Sequence, residues 1–341
     1  MTELDKAVKS LKKKFGDGYI GFGTQLLDST LKRRSTGVFS LDLGLGGGLP
    51  HRKIMMIAGK ESSGKTTTLL LMIAEAQRNG EKCALIDIEH NFDPRYAQVL
   101  GVKVGELLVA QSKTIEEASD TLETLIMCGE LGLIGFDSIA SAPSDKELDS
   151  SSEQKSMGGN AKANDLMAKK VLARLNDVSN PVNTSLVWLN QIRDNIGGYG
   201  NPLYTPGGHQ IHHASDIINW LSPESEPVGG KEDPVGINVR WKNTKNRTYQ
   251  PFKTGHYHLL FGKGVDNTFS IVEKAIEWGI VKKAGPWFSF EDVKASGLDN
   301  FMTLVGKTAH LETIQNKVFE IKDNPPKPKD DEDIDLDLIC K

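Results

Sequence analysis

A glycine-rich loop followed by a lysine and a threonine offers phosphate-binding chemistry. Residues 59–66 read GKESSGKT, which satisfies the spacing GxxxxGK followed by Ser or Thr. The glycines let backbone N–H groups approach phosphate oxygens, Lys65 reaches the β- and γ-phosphates, and the Thr66 hydroxyl ligates Mg²⁺. The sequence therefore predicts a nucleotide and Mg²⁺ site built from consecutive residues: Gly59, Lys60, Glu61, Ser62, Ser63, Gly64, Lys65, Thr66 and Thr67.

Acidic residues at the ends of two apolar segments supply the other groups that phosphoryl transfer needs. Asp137 ends the segment LGLIGFD and is suited to position the metal ion, although a helix cap or a turn also favours aspartate. Gly135 in that segment predicts close packing against a neighbour. The segment CALIDI leads into three candidates for orienting or deprotonating the attacking water: Asp87, Glu89 and His90. Because carboxyl ends of parallel strands gather at one sheet edge, Glu89 is able to face the γ-phosphate.

Alternating strands and helices must position these residues. Apolar strand patterns occupy 53–58, 83–88, 107–110, 131–137 and 185–190, and helical patterns occupy 4–14, 66–79 and 115–128. Most of these strands lack polar alternation, which predicts a parallel sheet covered by helices on both faces. After Ser215, the short segments DIINWL, GINVRW and HYHLLF predict an antiparallel extension of that sheet.

The composition indicates a folded chain with a separate acidic end. A hydrophobic share of 38% suits a globular protein, and no apolar run approaches the ~20 residues of a membrane span. Three widely spaced cysteines favour reduced thiols and a cytoplasmic location. Residues 330–341 hold six acidic residues and one lysine, a net −5, whereas the whole chain has a formal charge of −4. The rest is near neutral, which excludes a globally basic nucleic-acid binder.

Further segments make the chain resemble the RecA family of homologous-recombination ATPases over about residues 5–290. Beside GKESSGKT, they read IDIEHNFDPRYAQVLGV, FDSIAS, LNQIRDNIG, YGNP, PGG and KNRTYQPF. The resemblance implies an α/β core, mainly parallel, with an antiparallel extension, an N-terminal helix and a small C-terminal α+β cap. It also implies an ATP- and Mg²⁺-dependent recombinase. Such a protein forms helical filaments on single-stranded DNA, pairs that strand with a duplex, and hydrolyses ATP when DNA is bound.

The resemblance implies roles for particular residues. Glu89 matches the catalytic base, and Gln191 matches the residue that senses the γ-phosphate. Asp93 and Tyr96 match positions that contact the adenine. Lys245 and Arg247 match cations that reach the ATP of a neighbouring protomer. Two polar, glycine-containing segments, 148–164 and 193–210, match the DNA-contacting loops, whose candidate DNA-binding residues are Met157, Gly158, Lys162, Lys169, Arg193 and Tyr199.

These patterns divide the chain into four predicted regions. Residues 1–30 form a helix and strand for packing between protomers, and residues 31–264 form the ATPase core. A small C-terminal domain follows at 265–322, and residues 323–341 form a disordered acidic tail. Expected partners are single- and double-stranded DNA, further copies of the chain, and single-strand-binding or loader proteins, with no membrane.

Several positions depart from the family pattern. Lys60 replaces a common proline, which adds a cation near the phosphates, and the second loop and the C-terminal cap are shortened. The segment HQIHH places His209, His212 and His213 at helical spacing, which suits a metal site, a pH-sensitive interface or neutral structural histidines. Two other functions stay open: a ring-forming helicase on the same core, and a scaffold that binds ATP without hydrolysing it.

Overall fold

The computed structural model describes residues 2–16, 20–21, 31–141, 143–145, 159–177, 182–194 and 203–326. Its strands are β1 (Arg33–Arg34), β2 (Leu49–Pro50), β3 (Ile54–Gly59), β4 (Lys82–Asp87), β5 (Leu107–Ala110), β6 (Leu131–Asp137), β7 (Ser185–Gln191), β8 (Arg193–Asp194), β9 (Leu203–Tyr204), β10 (Ile217–Pro223), β11 (Gly236–Asn246), β12 (Thr254–Leu260), β13 (Gly264–Val265), β14 (Lys282–Ala284), β15 (Trp287–Phe290) and β16 (Val293–Ser296). Its helices are α1 (Glu3–Phe15), α2 (Phe39–Leu45), α3 (Lys65–Arg78), α4 (Pro94–Val99), α5 (Ile115–Met127), α6 (Gly159–Leu175), α7 (His209–Ala214), α8 (Asn267–Glu277), α9 (Leu298–Gly306) and α10 (His310–Ile321), with a 3₁₀ turn at Val104–Glu106.

Nine strands form one sheet in the order β13-β12-β11-β10-β3-β7-β6-β4-β5. The strands from β10 to β5 pair in parallel, whereas β10 to β13 pair antiparallel. The predicted parallel sheet and its antiparallel extension are therefore confirmed. The predicted bounds of the parallel strands, β12, α3 and α5 agree with the structure to within two residues, whereas β11 continues five residues beyond the predicted segment GINVRW.

Helices cover both faces of the sheet, as the unbroken apolar strands predict. All six residues of β3 are buried. Met55 and Ile57 join a buried cluster with α3, whereas Ile54 and Met56 join a second cluster with α5 and α6. Successive strand residues point to opposite faces, so the two clusters lie on the two sides of the sheet. The buried β3 thereby positions the loop of residues 60–64, which connects it to α3.

A third buried cluster belongs to the chain after β13. The antiparallel sheet β14-β15-β16 packs with α8, α9 and α10 around side chains that include Val272, Phe288, Phe301 and Val318. The predicted α+β cap is thus present, and it contacts the core through Phe39 of α2. The four predicted region boundaries stay predictions.

Helix α1 begins with a capping box, in which the Thr2 side chain accepts from Asp5 N–H and the Asp5 carboxylate accepts from Thr2 N–H. It buries no residue, and Leu4 is 64% exposed. The predicted helix is confirmed, and its packing on a neighbouring protomer stays a prediction. No helix among the described residues is long and apolar enough to cross a membrane.

The predicted loop at 148–164 is wrong at its end, because helix α6 begins at Gly159. The polar composition of the segment hid a buried stripe at helical spacing, formed by Asn164, Met167, Ala168 and Val171. The second predicted loop, 193–210, contains the short strand pair β8–β9 and the start of α7.

Candidate nucleotide site

The phosphate-binding loop joins the end of β3 to the start of α3. A Cβ atom at Gly59 would lie 2.3 Å from Ser63 Oγ and 2.7 Å from the Leu221 carbonyl oxygen, so the tight loop requires glycine there. Gly64 precedes the helix at φ +84°, a conformation that favours glycine. The loop therefore directs backbone N–H groups from the amino terminus of α3, which is an arrangement that binds anions.

Lys65 extends back across the loop. Its Nζ donates to the Lys60 carbonyl oxygen at 2.7 Å. Burial lowers the pKa of Lys65, and the carboxylates of Asp137, Glu89 and Glu61 oppose that shift. A desolvated ammonium group at the loop suits a phosphate ligand, because binding an anion replaces the water that burial removed.

Tyr257 of β12 contacts the start of α3 through Thr68, and no local pattern in the sequence predicts this contact. Its hydroxyl lies 3.0 Å from Thr68 Oγ1, which also donates to the Gly64 carbonyl oxygen at 2.9 Å. Burial raises the pKa of Tyr257. A tyrosine inside an apolar strand requires a buried partner, which is the one general indication that the sequence offered.

Thr66 and Asp137 meet as the predicted metal ligands require. Thr66 Oγ1 donates to Asp137 Oδ2 at 2.8 Å. Burial, together with the nearby carboxylates of Glu89 and Asp87, raises the pKa of Asp137 to about 6, although the Thr66 hydrogen bond and the charge of Lys65 act in the opposite direction. Gly135 lies two positions earlier in β6, and a Cβ there would lie 3.0 Å from the Leu69 methyl groups. The predicted close packing of this strand is confirmed.

The structure separates the three candidates for the water-orienting base. The Asp87 carboxylate accepts from the backbone N–H groups of Asn91 at 3.2 Å and Phe92 at 3.1 Å, so it holds the turn after β4. His90 is exposed at a positive φ of 54°. Glu89 is half-buried and follows β4, which pairs with β6, the strand that ends at Asp137, and this position favours Glu89 among the three.

Glu89 is held by hydroxyl groups from the turn after β6. Its Oε1 accepts from Ser138 Oγ at 2.6 Å and Ser141 Oγ at 2.5 Å, and Gln191 Nε2 lies 3.5 Å away. Burial raises the pKa of Glu89, but hydrogen bonds from Ser138, Ser141 and Asn91 and the charge of Lys65 outweigh burial and lower it overall. The carboxylate is therefore ionised near neutral pH.

The two predicted adenine contacts belong to the start of α4, beside the first turn of α3. Asp93 caps α4 by accepting from the backbone N–H groups of Arg95 and Tyr96 at 2.8 and 3.3 Å. The Tyr96 hydroxyl lies 3.1 Å from Thr67 Oγ1. The capped turn thus holds the Tyr96 ring next to the phosphate loop.

Lys245 and Arg247 lie at the end of the sheet opposite the phosphate loop. Lys245 pairs with Ile218 at the start of β10, whereas Gly59 pairs with Leu221 near its end. Lys245 Nζ donates to the carbonyl oxygens of His212 at 2.6 Å and His213 at 3.3 Å, at the end of α7. Burial and the charge of Arg247 lower the pKa of Lys245, against Asp216. The structure does not bring these cations to the loop of their own chain.

The three histidines of α7 do not form a metal site in the described part of the chain. His212 Nε2 lies 2.7 Å from Thr205 Oγ1. Burial lowers the pKa of His212, and the charges of Lys245, His213 and His209 lower it further, which favours a neutral structural role. The described donors that converge within 4.8 Å are instead Glu291, Asp292 and His310, where Lys317 Nζ already pairs with Glu291 at 2.9 Å.

The predicted DNA-contacting residues are only partly described. Lys162 and Lys169 are exposed on α6, and Arg193 is exposed just after Gln191. The other three, Met157, Gly158 and Tyr199, lie outside the described residues.

Comparison with known proteins finds similarity to the RecA family over nearly the whole chain. The model of the RecA N-terminal domain matches residues 2–266. The Protein RecA of Thermus thermophilus is 34% identical over 324 residues, covering 94% of this chain and 94% of that protein. The Protein RecA of Chlorobaculum tepidum is 35% identical over 331 residues, covering 96% and 94%. That of Halalkalibacterium halodurans is 33% identical over 346 residues, covering 98% of each.

Proposed function

This chain belongs to the RecA family, and from that premise we propose that it is an ATP-dependent DNA recombinase. Many copies assemble as a helical filament on single-stranded DNA, pair that strand with a homologous duplex, and exchange strands. DNA binding stimulates ATP hydrolysis. Relatives named Protein RecA over nearly the whole chain favour this function over a ring-forming helicase and over a non-hydrolysing scaffold. Single-strand-binding and loader proteins are further proposed partners.

The observation that carries the ATPase proposal is the contact of Thr66 with Asp137 at 2.8 Å, directly behind the phosphate loop. The two side chains offer a hydroxyl and a carboxylate, which are the oxygen ligands that Mg²⁺ prefers. Thr66 and Asp137 would hold Mg²⁺, which when bound offsets the negative charge of the β- and γ-phosphates. Burial is the largest cause of the raised pKa of Asp137, and the charge of Lys65 offsets it only in part.

Three further residues, Lys65, Glu89 and Gln191, take part in hydrolysis. Lys65 exchanges the Lys60 carbonyl oxygen for a phosphate oxygen, and Glu89 accepts a proton from the attacking water. Gln191, 3.5 Å from Glu89, lies two residues before Arg193, the first of the second DNA segment. This short link supports a role for Gln191 in passing the state of the γ-phosphate to DNA.

The cations at the far end of the sheet make the site depend on assembly. Lys245 and Arg247 act on the ATP of a neighbouring protomer, because their own phosphate loop lies at the opposite end of β3. Cations supplied in this way stabilise transition-state charge and contribute roughly 10³ to 10⁵ in rate in related phosphoryl transfers.

Lys162, Lys169 and Arg193 contact DNA phosphates, which requires no particular base sequence.

One experiment separates the three functions. ATP hydrolysis is measured with and without single-stranded DNA over a range of protein concentrations, and the same samples are imaged by negative stain. A recombinase gives DNA-stimulated, concentration-dependent hydrolysis, filaments, and strand exchange between labelled homologous DNAs. Closed rings that unwind duplex without pairing would support the helicase instead. Equal hydrolysis by the wild type and Glu89→Gln would support the scaffold.

A further inference from the structure

Two serine hydroxyl groups converge on one oxygen of Glu89. Ser138 Oγ and Ser141 Oγ lie 2.6 and 2.5 Å from Glu89 Oε1, and 2.9 Å from each other. Ser138 is buried and follows Asp137 directly, whereas Ser141 is exposed in the turn after β6. Each hydroxyl has a single proton, and an ionised carboxylate attracts both protons more strongly than either hydroxyl oxygen does. Oε1 therefore accepts two short hydrogen bonds.

The two oxygens of Glu89 are consequently unequal. Among the described residues, Oε2 has only the long contact of 3.5 Å with Asn91 Nδ2. The anchored Oε1 fixes the carboxylate plane, and Oε2 is the oxygen left to take a proton. Catalysis is sensitive to such orientation, because a base must lie within hydrogen-bond reach of the proton that it abstracts.

We propose that Ser141 is a positioning residue that anchors Glu89 for proton abstraction, an inference that rests on the proposed ATPase function. In the step that it supports, a water O–H bond breaks and its proton passes to Glu89 Oε2. The water oxygen forms a bond to the γ-phosphorus, and the bond from that phosphorus to the bridging oxygen breaks, so that ADP leaves with the electron pair. Ser141 itself touches neither ATP nor water in this step.

Nothing in the described surroundings of Ser141 gives its hydroxyl a different task. Its hydrogen bonds go to Glu89 and to Ser138. The contact with Glu89 joins residues that are 52 positions apart in the chain, across the carboxyl ends of the neighbouring strands β4 and β6. The serine pair also favours the ionised form of Glu89, in agreement with the lowered pKa of that carboxyl group.

The test compares Ser141→Ala, Ser141→Thr and the wild type in DNA-stimulated ATP hydrolysis. A hydrogen bond to a charged group is worth roughly one to two powers of ten, so kcat of Ser141→Ala is expected to fall about tenfold or more, with KM for ATP unchanged. The acid limb of its kcat profile is expected to move upward by about one pH unit, because the ionised Glu89 has lost a donor. Ser141→Thr keeps the hydroxyl and is expected to restore both values. Ser296→Ala, an exposed serine of β16, is the matched control.

The outcomes separate this inference from the proposed function. A wild type without DNA-stimulated hydrolysis would remove the proposed function. A wild type that hydrolyses normally, with Ser141→Ala matching it in kcat and acid limb, would overturn the role of Ser141 alone. A raised KM with unchanged kcat would also overturn it, because the hydroxyl would then act in binding. If Ser141→Ala does not fold, Ser141→Cys keeps the volume with a weaker donor, and wild-type kcat in that variant would overturn the role as well.

Discussion

Replacing Arg247 by alanine should abolish most ATP hydrolysis without unfolding the protein. The Arg247 backbone N–H donates to the Asp216 carbonyl oxygen, and Asp216 N–H donates to the Ile54 carbonyl oxygen, which aligns Arg247 with the start of β3. The loop begins at Gly59, about 16 Å further along at ~3.3 Å per strand residue. The guanidinium group therefore serves a neighbour's ATP, and its loss should lower DNA-stimulated kcat by about 10³.

The stability of Arg247→Ala should change little. The side chain is 52% exposed, and its Nη1 lies 3.7 Å from Asp216 Oδ1. An exposed pair of this kind contributes about 0–1 kcal/mol to the free energy of unfolding. The assays are steady-state hydrolysis with saturating single-stranded DNA and thermal unfolding. Lys53→Ala is the matched control, because Lys53 pairs with the same carboxylate at 3.7 Å, and it should hydrolyse ATP normally. A wild-type rate of ATP hydrolysis by Arg247→Ala would refute the role of Arg247 at the ATP of a neighbouring protomer.

Three further predictions concern packing, pH and the acidic end. Gly135→Ala places a Cβ 3.0 Å from the Leu69 methyl groups and should lower the free energy of unfolding by about 1–3 kcal/mol in chemical denaturation. Gly105→Ala, whose added Cβ would meet no atom within 4 Å, should leave the free energy of unfolding unchanged. Equal free energies of unfolding for the two variants would contradict the close packing at Gly135. Burial raises the pKa of Asp42 from 3.8 to about 6, so the native state holds this proton more tightly and stability is lost as pH rises through that window. Asp42→Asn should reduce the dependence of the free energy of unfolding on pH in this window. An unchanged dependence would exclude Asp42 as its source. Deleting residues 330–341, with six acidic residues and one lysine, should speed duplex DNA binding at low salt, and unchanged kinetics across salt would count against competition by the tail.

The parts of the site that the sequence predicted are those whose chemistry demands fixed residue types at short spacing. The phosphate loop is such a part, because its glycines, lysine and threonine must follow one another between a strand and a helix. The strand LGLIGFD and its terminal Asp137 were predictable because a strand buried on both faces needs apolar residues at every position. The same reasoning gave the order of strands and helices in the core.

The parts that the sequence did not predict depend on contacts between distant residues. The pattern alone left Asp87, Glu89 and His90 equivalent, and only the hydrogen bonds to Asp87 show that this acid holds a turn. Tyr257 reaches Thr68 across 189 positions, and no local spacing signals such a pair. The start of α6 was missed because serine and glycine dominate the preceding segment and obscure the helical periodicity that follows.

The central claim, that each ATP site is completed by a neighbouring protomer, is tested most directly by mixing two inactive variants. Glu89→Gln lacks the base, and Arg247→Ala lacks the cation that serves a neighbour. In a random equal mixture, about one quarter of the head-to-tail interfaces combine an intact base with an intact Arg247. DNA-stimulated hydrolysis of the mixture should therefore recover to about a quarter of the wild-type rate. A mixture no faster than the two variants assayed separately would contradict the shared site.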